Sequence, residues 1–270
     1  MESSSQTEFS HAESDRTRGT SHDVVRGTID DATRGTSHDV ATLKISETFQ
    51  SCQGEGKLTG TDSFFIRTSG CNLRCHFCDT PYASWNPTGD QLPIDQLVAM
   101  AVETGLQHVV LTGGEPMLPI QITSLCELLR DAGMHVTIET AGTIDRELVC
   151  DLASISPKLE NSTPDSQQHP RWSELHQQRR MPIEVMRSVI DRSIDHQIKF
   201  VVTSLDDFAE INSVVRQLDV DADAVWIMPE GVTIEAMDAA ASWLKPYCDD
   251  TGYRYCDRMQ IRWFGNRRGT

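Results

Sequence analysis

The sequence predicts an α/β fold with a mostly parallel sheet covered by helices, and three observations carry that prediction. Short β-rich runs take turns with longer runs of helical apolar spacing, which is the pattern of strand–helix–strand units. Several of the strand candidates are mostly apolar and read as buried, as strands covered on both faces are. The 270 residues suffice for one large core. Right-handed crossovers would curl such a sheet toward a barrel.

In chain order, Leu43–Phe49 alternates like a half-buried strand, and Phe64–Thr68 is a second. Ile94, Leu97, Val98, Ala101 and Val102 have helical spacing. His108–Thr112 reads as a buried strand, then Ile122, Leu125, Leu128 and Leu129 as a helix face, then His135–Glu139 as a strand. Residues 160–181, rich in Gln, His, Ser and Arg, read as an inserted loop or a polar helix. Ile198–Thr203 and Ala224–Met228 are further strands. Ser204 with Asp207, and Thr233 with Glu235, mark helix starts.

Residues 1–41 differ from everything after them. They are rich in Ser, Thr, Asp, Arg and Gly, and the eight-residue stretch Thr17–Val24 recurs as Thr33–Val40. Such a segment buries too little apolar area to offset its ordering entropy, so a disordered tail is expected, with residues 42–270 as the folded domain. The formal charge of −16 argues against a duplex nucleic-acid binder, which normally presents a basic face. No run of about 18 apolar residues exists, so no membrane span is expected. The N-terminus lacks the apolar stretch of a secretory signal, which favours the cytoplasm.

Three of the eight cysteines are clustered: Cys71, Cys75 and Cys78, spaced C-x3-C-x2-C. Cys52, Cys126, Cys150, Cys248 and Cys256 are scattered and read as small buried hydrophobes. A loop with this spacing can hold three thiolates against one face of an iron–sulfur cluster. A closed zinc or ferredoxin-type site wants four protein ligands. Three leave one iron open to a small molecule, such as the amino and carboxylate groups of S-adenosylmethionine. The bland alternative is a zinc knuckle with His76 or His135 as fourth ligand.

The cysteine spacing is that of the radical S-adenosylmethionine superfamily, and Leu111-Thr-Gly-Gly-Glu-Pro116 resembles its second motif. Glu47-Thr-Phe-Gln-Ser-Cys-Gln-Gly-Glu-Gly56, Phe65-Ile-Arg67 and Cys78-Asp-Thr80 narrow the resemblance to the 7-carboxy-7-deazaguanine synthase family. Ile138–Thr143, Ser156-Pro-Lys158, Met228-Pro-Glu-Gly231 and the ending Gln260–Arg268 fit the same family. The resemblance spans about residues 43–270. It implies an incomplete, partial TIM-like (β/α) barrel with the cluster at the C-terminal end of the strands, and a homodimer.

The implied reaction is a radical lyase step on 6-carboxy-5,6,7,8-tetrahydropterin. Ammonia leaves, and 7-carboxy-7-deazaguanine, a precursor of queuosine, forms. The implied cofactors are a [4Fe-4S] cluster on Cys71, Cys75 and Cys78, S-adenosylmethionine, and Mg2+ on Thr80, whose hydroxyl is the hard oxygen ligand that this ion prefers. A flavodoxin- or ferredoxin-type protein would supply electrons. The resemblance places S-adenosylmethionine against Phe77, Cys78, Asp79, Gly114, Glu115, Ser156, Pro157, Lys158, Met228, Pro229, Glu230 and Gly231. It places the substrate against Cys52, Gln53, Gly54, Glu55, Arg67, Thr112 and Glu139, with Arg67 on the substrate carboxylate and Glu55 and Glu139 on the ring edge. A glycyl-radical-enzyme activase shares the cysteine motif, but gives no reason for Gln53-Gly-Glu55 and Arg67. A non-catalytic zinc or iron–sulfur module is the rival from another class.

Overall fold

The computed structural model describes residues 41–270. The repeat, and all but the last residue of the expected tail, lie outside the described residues.

One nine-stranded sheet forms the centre, in the order β3-β1-β2-β4-β5-β6-β7-β8-β9. Strand β1 (Thr42–Cys52) is antiparallel to both β2 (Asp62–Thr68) and β3 (Asp90–Pro93). From β2 onward every neighbour pairs in parallel: β4 (His108–Gly113), β5 (His135–Thr140), β6 (Leu152–Ile155), β7 (Asp195–Val202), β8 (Val225–Pro229) and β9 (Arg254–Tyr255). The terminal strands β3 and β9 do not pair with each other, so the sheet stays open, as an incomplete barrel does.

The parallel strands are apolar because helices cover them. Val109, Val110 and Leu111 of β4 and all of β6 are buried. Helix α1 (Ile94–Glu103) buries Ile94, Leu97 and Ala101, while α2 (Ile122–Asp131) buries Ile122, Leu125, Cys126 and Leu129. Both are the i, i+3, i+7 stripe that helical geometry turns toward a core. Val102 and Leu128, expected on those stripes, are instead exposed on the outer faces. Val102 lies one position after buried Ala101 and Leu128 one position before buried Leu129, each a rotation of about 100° out of the core.

Residues 160–181 do contain a polar helix, α3 (Pro170–Arg179), followed by α4 (Ile183–Arg192). Helix α5 runs over Asp207–Leu218 and α6 over Ile234–Thr251. As expected, Thr233 caps α6, its hydroxyl accepting from the Ala236 N–H at 3.2 Å. A short α7 (Met259–Phe264) follows β9. No helix among the described residues is long and apolar enough to cross a membrane.

Candidate active site

The loops at the C-terminal ends of the parallel strands enclose a cavity of about 260 Å³, the position at which open α/β sheets bind ligands. The cysteine loop leaves β2 and brings Cys71, Cys75 and Cys78 to its wall. All three are free thiols. Cys71 accepts the Leu73 N–H at 3.4 Å, and Cys78 meets the Ser84 hydroxyl at 3.1 Å. Burial pushes the thiol of Cys71 up to about 12 and that of Cys75 up to about 11. A metal must therefore displace protons to bind here.

The Gly113-Gly114 pair explains how this loop is held. A Cβ on Gly113 would collide with the Thr68 backbone, and one on Gly114 with the carbonyls of Gly70 and Ala83. Gly113 also has φ +154°, which favours glycine. The close approach is thus to the cysteine loop's own backbone. The Glu115 N–H then donates to the Gly70 carbonyl at 2.9 Å. The Glu115 carboxylate does not reach the cavity. Fully buried, it accepts from Thr140 Oγ1 at 2.7 Å, Ala141 N–H at 2.9 Å and Met117 N–H at 3.0 Å. Its oxygens brace β4 against β5.

The facing wall is ionic. Lys199, inside β7, donates to Glu55 and stands 3.8 Å from Glu139. Arg258, just before α7, pairs with Glu55 and with Asp79, and donates to the Gly231 carbonyl at 2.7 Å. Gln260 donates to Glu55 at 2.7 Å. Burial alone would raise the Glu55 carboxyl, but the charges of Lys199 and Arg258 hold it down at about 2. Burial opposes the charge on Lys199, yet Glu55 and Glu139 push its pKa up. Glu55 therefore has both oxygens committed to protein donors, and Glu139 is the carboxylate left to meet a ring edge. Lys199, Arg258 and Gln260 were not among the predicted site residues. Lys199 sits within a strand read only as apolar, and no local motif marks Arg258.

Arg67 lines the cavity with Phe49 and Phe65, whose rings stack at 4.8 Å. Its Nε donates to Glu47 at 2.7 Å. Glu47 also accepts from Tyr82 at 2.8 Å and Arg268 at 2.7 Å. Arg67 is thus already in an ion pair at its Nε, which leaves its Nη edge for a substrate carboxylate. Gln53 donates to Ser63 at 2.8 Å. Cys52, Gly54, Thr80, Thr112 and Glu139 reach the cavity, as do Phe77, Asp79, Gly114, Ser156, Lys158, Met228 and Glu230. Lys158 donates to Ser156 at 2.7 Å. Pro157, Pro229 and Gly231 do not line it, and Gly231 serves through its carbonyl on Arg258.

The arrangement fits a three-thiolate cluster better than a zinc knuckle. Among the described residues, no three His, Cys, Asp or Glu side chains converge as a single-ion site. His76 is bonded to the Asn161 carbonyl at 2.7 Å, and His135 stacks on His108 at 4.5 Å where β5 begins, away from the strand ends that carry the cysteines. Three thiols bordering an open cavity leave room for a small-molecule ligand.

The profile of the Radical SAM superfamily matches residues 65–165. The chain is 59% identical over 230 residues to the 7-carboxy-7-deazaguanine synthase of Rhodopirellula baltica, covering 85% of this chain and 90% of that one. The chain belongs to the 7-carboxy-7-deazaguanine synthase family. The Halobacterium salinarum member is 42% identical, over 81% of this chain and 89% of its own. The crystal structure of QueE from Escherichia coli superposes with a TM-score of 0.58 at 24% identity, over 80% of this chain and 93% of that one, which bears on the fold. Membership of the superfamily implies a [4Fe-4S] cluster and S-adenosylmethionine.

Proposed function

We propose that this chain is a 7-carboxy-7-deazaguanine synthase, a radical lyase that converts 6-carboxy-5,6,7,8-tetrahydropterin to 7-carboxy-7-deazaguanine with loss of ammonia, on the route to queuosine. The observation that carries the reading is the 59% identity to a synthase, joined to one cavity that holds the three thiols together with Gln53, Glu139 and Arg67. When bound, the cluster and S-adenosylmethionine supply a 5′-deoxyadenosyl radical, the hydrogen-abstracting chemistry that no side chain provides.

The chain's own residues bind, orient and enclose. The Nη edge of Arg67 receives the substrate carboxylate, with Glu47 fixing the guanidinium from behind. Glu139 accepts from the guanidine-like ring edge, with the Lys199 ammonium 3.8 Å away. Phe49 and Phe65 present apolar faces that exclude water. Lys158, Ser156 and Met228 border the S-adenosylmethionine side. The Thr80 hydroxyl serves as one oxygen ligand to Mg2+, with substrate oxygens and waters completing the shell. A flavodoxin- or ferredoxin-type donor supplies electrons, and the enzyme works as a cytoplasmic homodimer.

Anaerobically reconstituted protein, given S-adenosylmethionine, a reductant and the carboxy-tetrahydropterin, is expected to yield the deazaguanine and ammonia. Uncoupled 5′-deoxyadenosine with no consumption of the pterin would sink the assignment.

A further inference from the structure

The cysteine loop is gripped from outside the cavity by the segment that carries α3. His176 is fully buried, and its Nδ1 accepts from the Arg74 N–H at 3.3 Å. Trp172 lies over the Arg74 guanidinium at 4.1 Å, and Arg179 donates to the Asn72 carbonyl at 3.2 Å. The His76 N–H donates to the Ser162 carbonyl at 3.0 Å.

Proton counting orients the next contact. Because the Arg74 N–H needs a lone pair on Nδ1, the neutral imidazole carries its hydrogen on Nε2. Nε2 therefore donates to Ser162 Oγ, 2.9 Å away. Ser162 is then an acceptor from His176, and its own hydrogen goes to the Leu159 carbonyl at 2.6 Å. Ser162 is fully buried, so no water competes. Ser84, only 3% exposed, stands 3.1 Å from the Cys78 sulfur. A metal-bound thiolate has no hydrogen, so in the holoprotein Ser84 must be the donor in this pair.

We propose that Ser84 is a positioning residue that tunes the cluster, by donating a hydrogen bond to the thiolate of Cys78. The proposal rests on the cluster reading above. Reduction adds negative charge to the cluster and its sulfurs. A hydroxyl aimed at a thiolate stabilises the reduced form more than the oxidised one and raises the reduction potential. The third cysteine, Cys71, takes its bond from the Leu73 backbone, which no side-chain substitution removes.

The test is a reductive titration of anaerobically reconstituted holoprotein, followed by electron paramagnetic resonance, with iron counted in every sample. Ser84→Ala is expected to keep full iron and to lower the midpoint potential. A loss of about tenfold in the reduction equilibrium constant corresponds to about 59 mV for one electron. Ser84→Thr, which keeps the hydroxyl, is expected to restore the wild-type value. A wild-type potential in iron-replete Ser84→Ala would overturn the proposal. On the unaltered holoprotein, the iron–sulfur stretching bands in resonance Raman spectra are expected to move in D2O, and bands that stay put would overturn it even where a variant fails to fold. A wild-type chain that takes up no iron would instead remove the cluster reading itself.

Discussion

The two walls of the cavity differ in where their parts come from. On the cysteine side, Cys71, Cys75, Cys78, Thr80 and Ser84 lie on one stretch of chain. On the facing side, Glu55 meets Lys199 and Arg258 across 144 and 203 positions of sequence. The first wall presents thiols with valence to spare for a ligand. The second is an ionic lattice that satisfies itself, with Glu55 neutralised before any substrate arrives. One wall is built to bind, and the other to hold its shape in a cavity that must stay polar without being wet.

The sharpest way to break the cysteine wall is to remove a ligand. Cys75→Ala is expected to abolish reductive cleavage of S-adenosylmethionine, read as 5′-deoxyadenosine. Unchanged formation would refute its role.

On the ionic wall, Lys199→Met leaves the Glu55 charge buried with one cation fewer. The expected cost is about 3–5 kcal/mol of stability, measured by denaturant unfolding at neutral pH. The pH dependence has a definite sign. Glu55 is held at about 2, below the ordinary 4.5, so its contribution is present above about pH 4.5 and is lost as pH falls toward 2. The stability gap between wild type and Lys199→Met should therefore narrow over that window, and a gap that widens would contradict the ion pair.

Glu47→Gln loosens the back of Arg67 without touching the cavity face. We expect KM for the pterin to rise by about tenfold, the worth of one charge-assisted hydrogen bond, with kcat little changed. A fall in kcat alone would place Glu47 in the chemistry instead. The smallest effect is expected from Thr80→Ala: the response of turnover to Mg2+ should flatten while iron content stays full. A wild-type metal response would take Thr80 out of the site.

The same contrast governs how much was legible from the sequence. The cysteine wall was readable because its chemistry is local, and the spacing of three thiols states it outright. The long strands and helices α1 and α2 were readable from periodicity. Strands β3 and β9 were not, because four residues of Asp-Gln-Leu-Pro and two of Arg-Tyr are too short to show any alternation. Strand β6, Leu-Ala-Ser-Ile, is four residues that periodicity cannot distinguish from part of a helix. The ionic wall escaped because a lysine inside an apolar strand has no signature until tertiary contacts pair it. The inward bonds of Glu115 were hidden for a related reason: a motif reveals that a carboxylate matters, and only the packing reveals what its oxygens hold. The polar character of 160–181 was read correctly, but its grip on the cysteine loop through Trp172 and His176 depends on side chains about 100 positions away from it.

The stitch between Gly114 and the carbonyls of Gly70 and Ala83 has a practical consequence for anyone surveying variants of this enzyme. Adding a single methyl there would shift the thiols without altering any of them, so the damage would surface as poor iron incorporation. A screen scoring only turnover would file that lesion under nucleotide affinity and misjudge its origin.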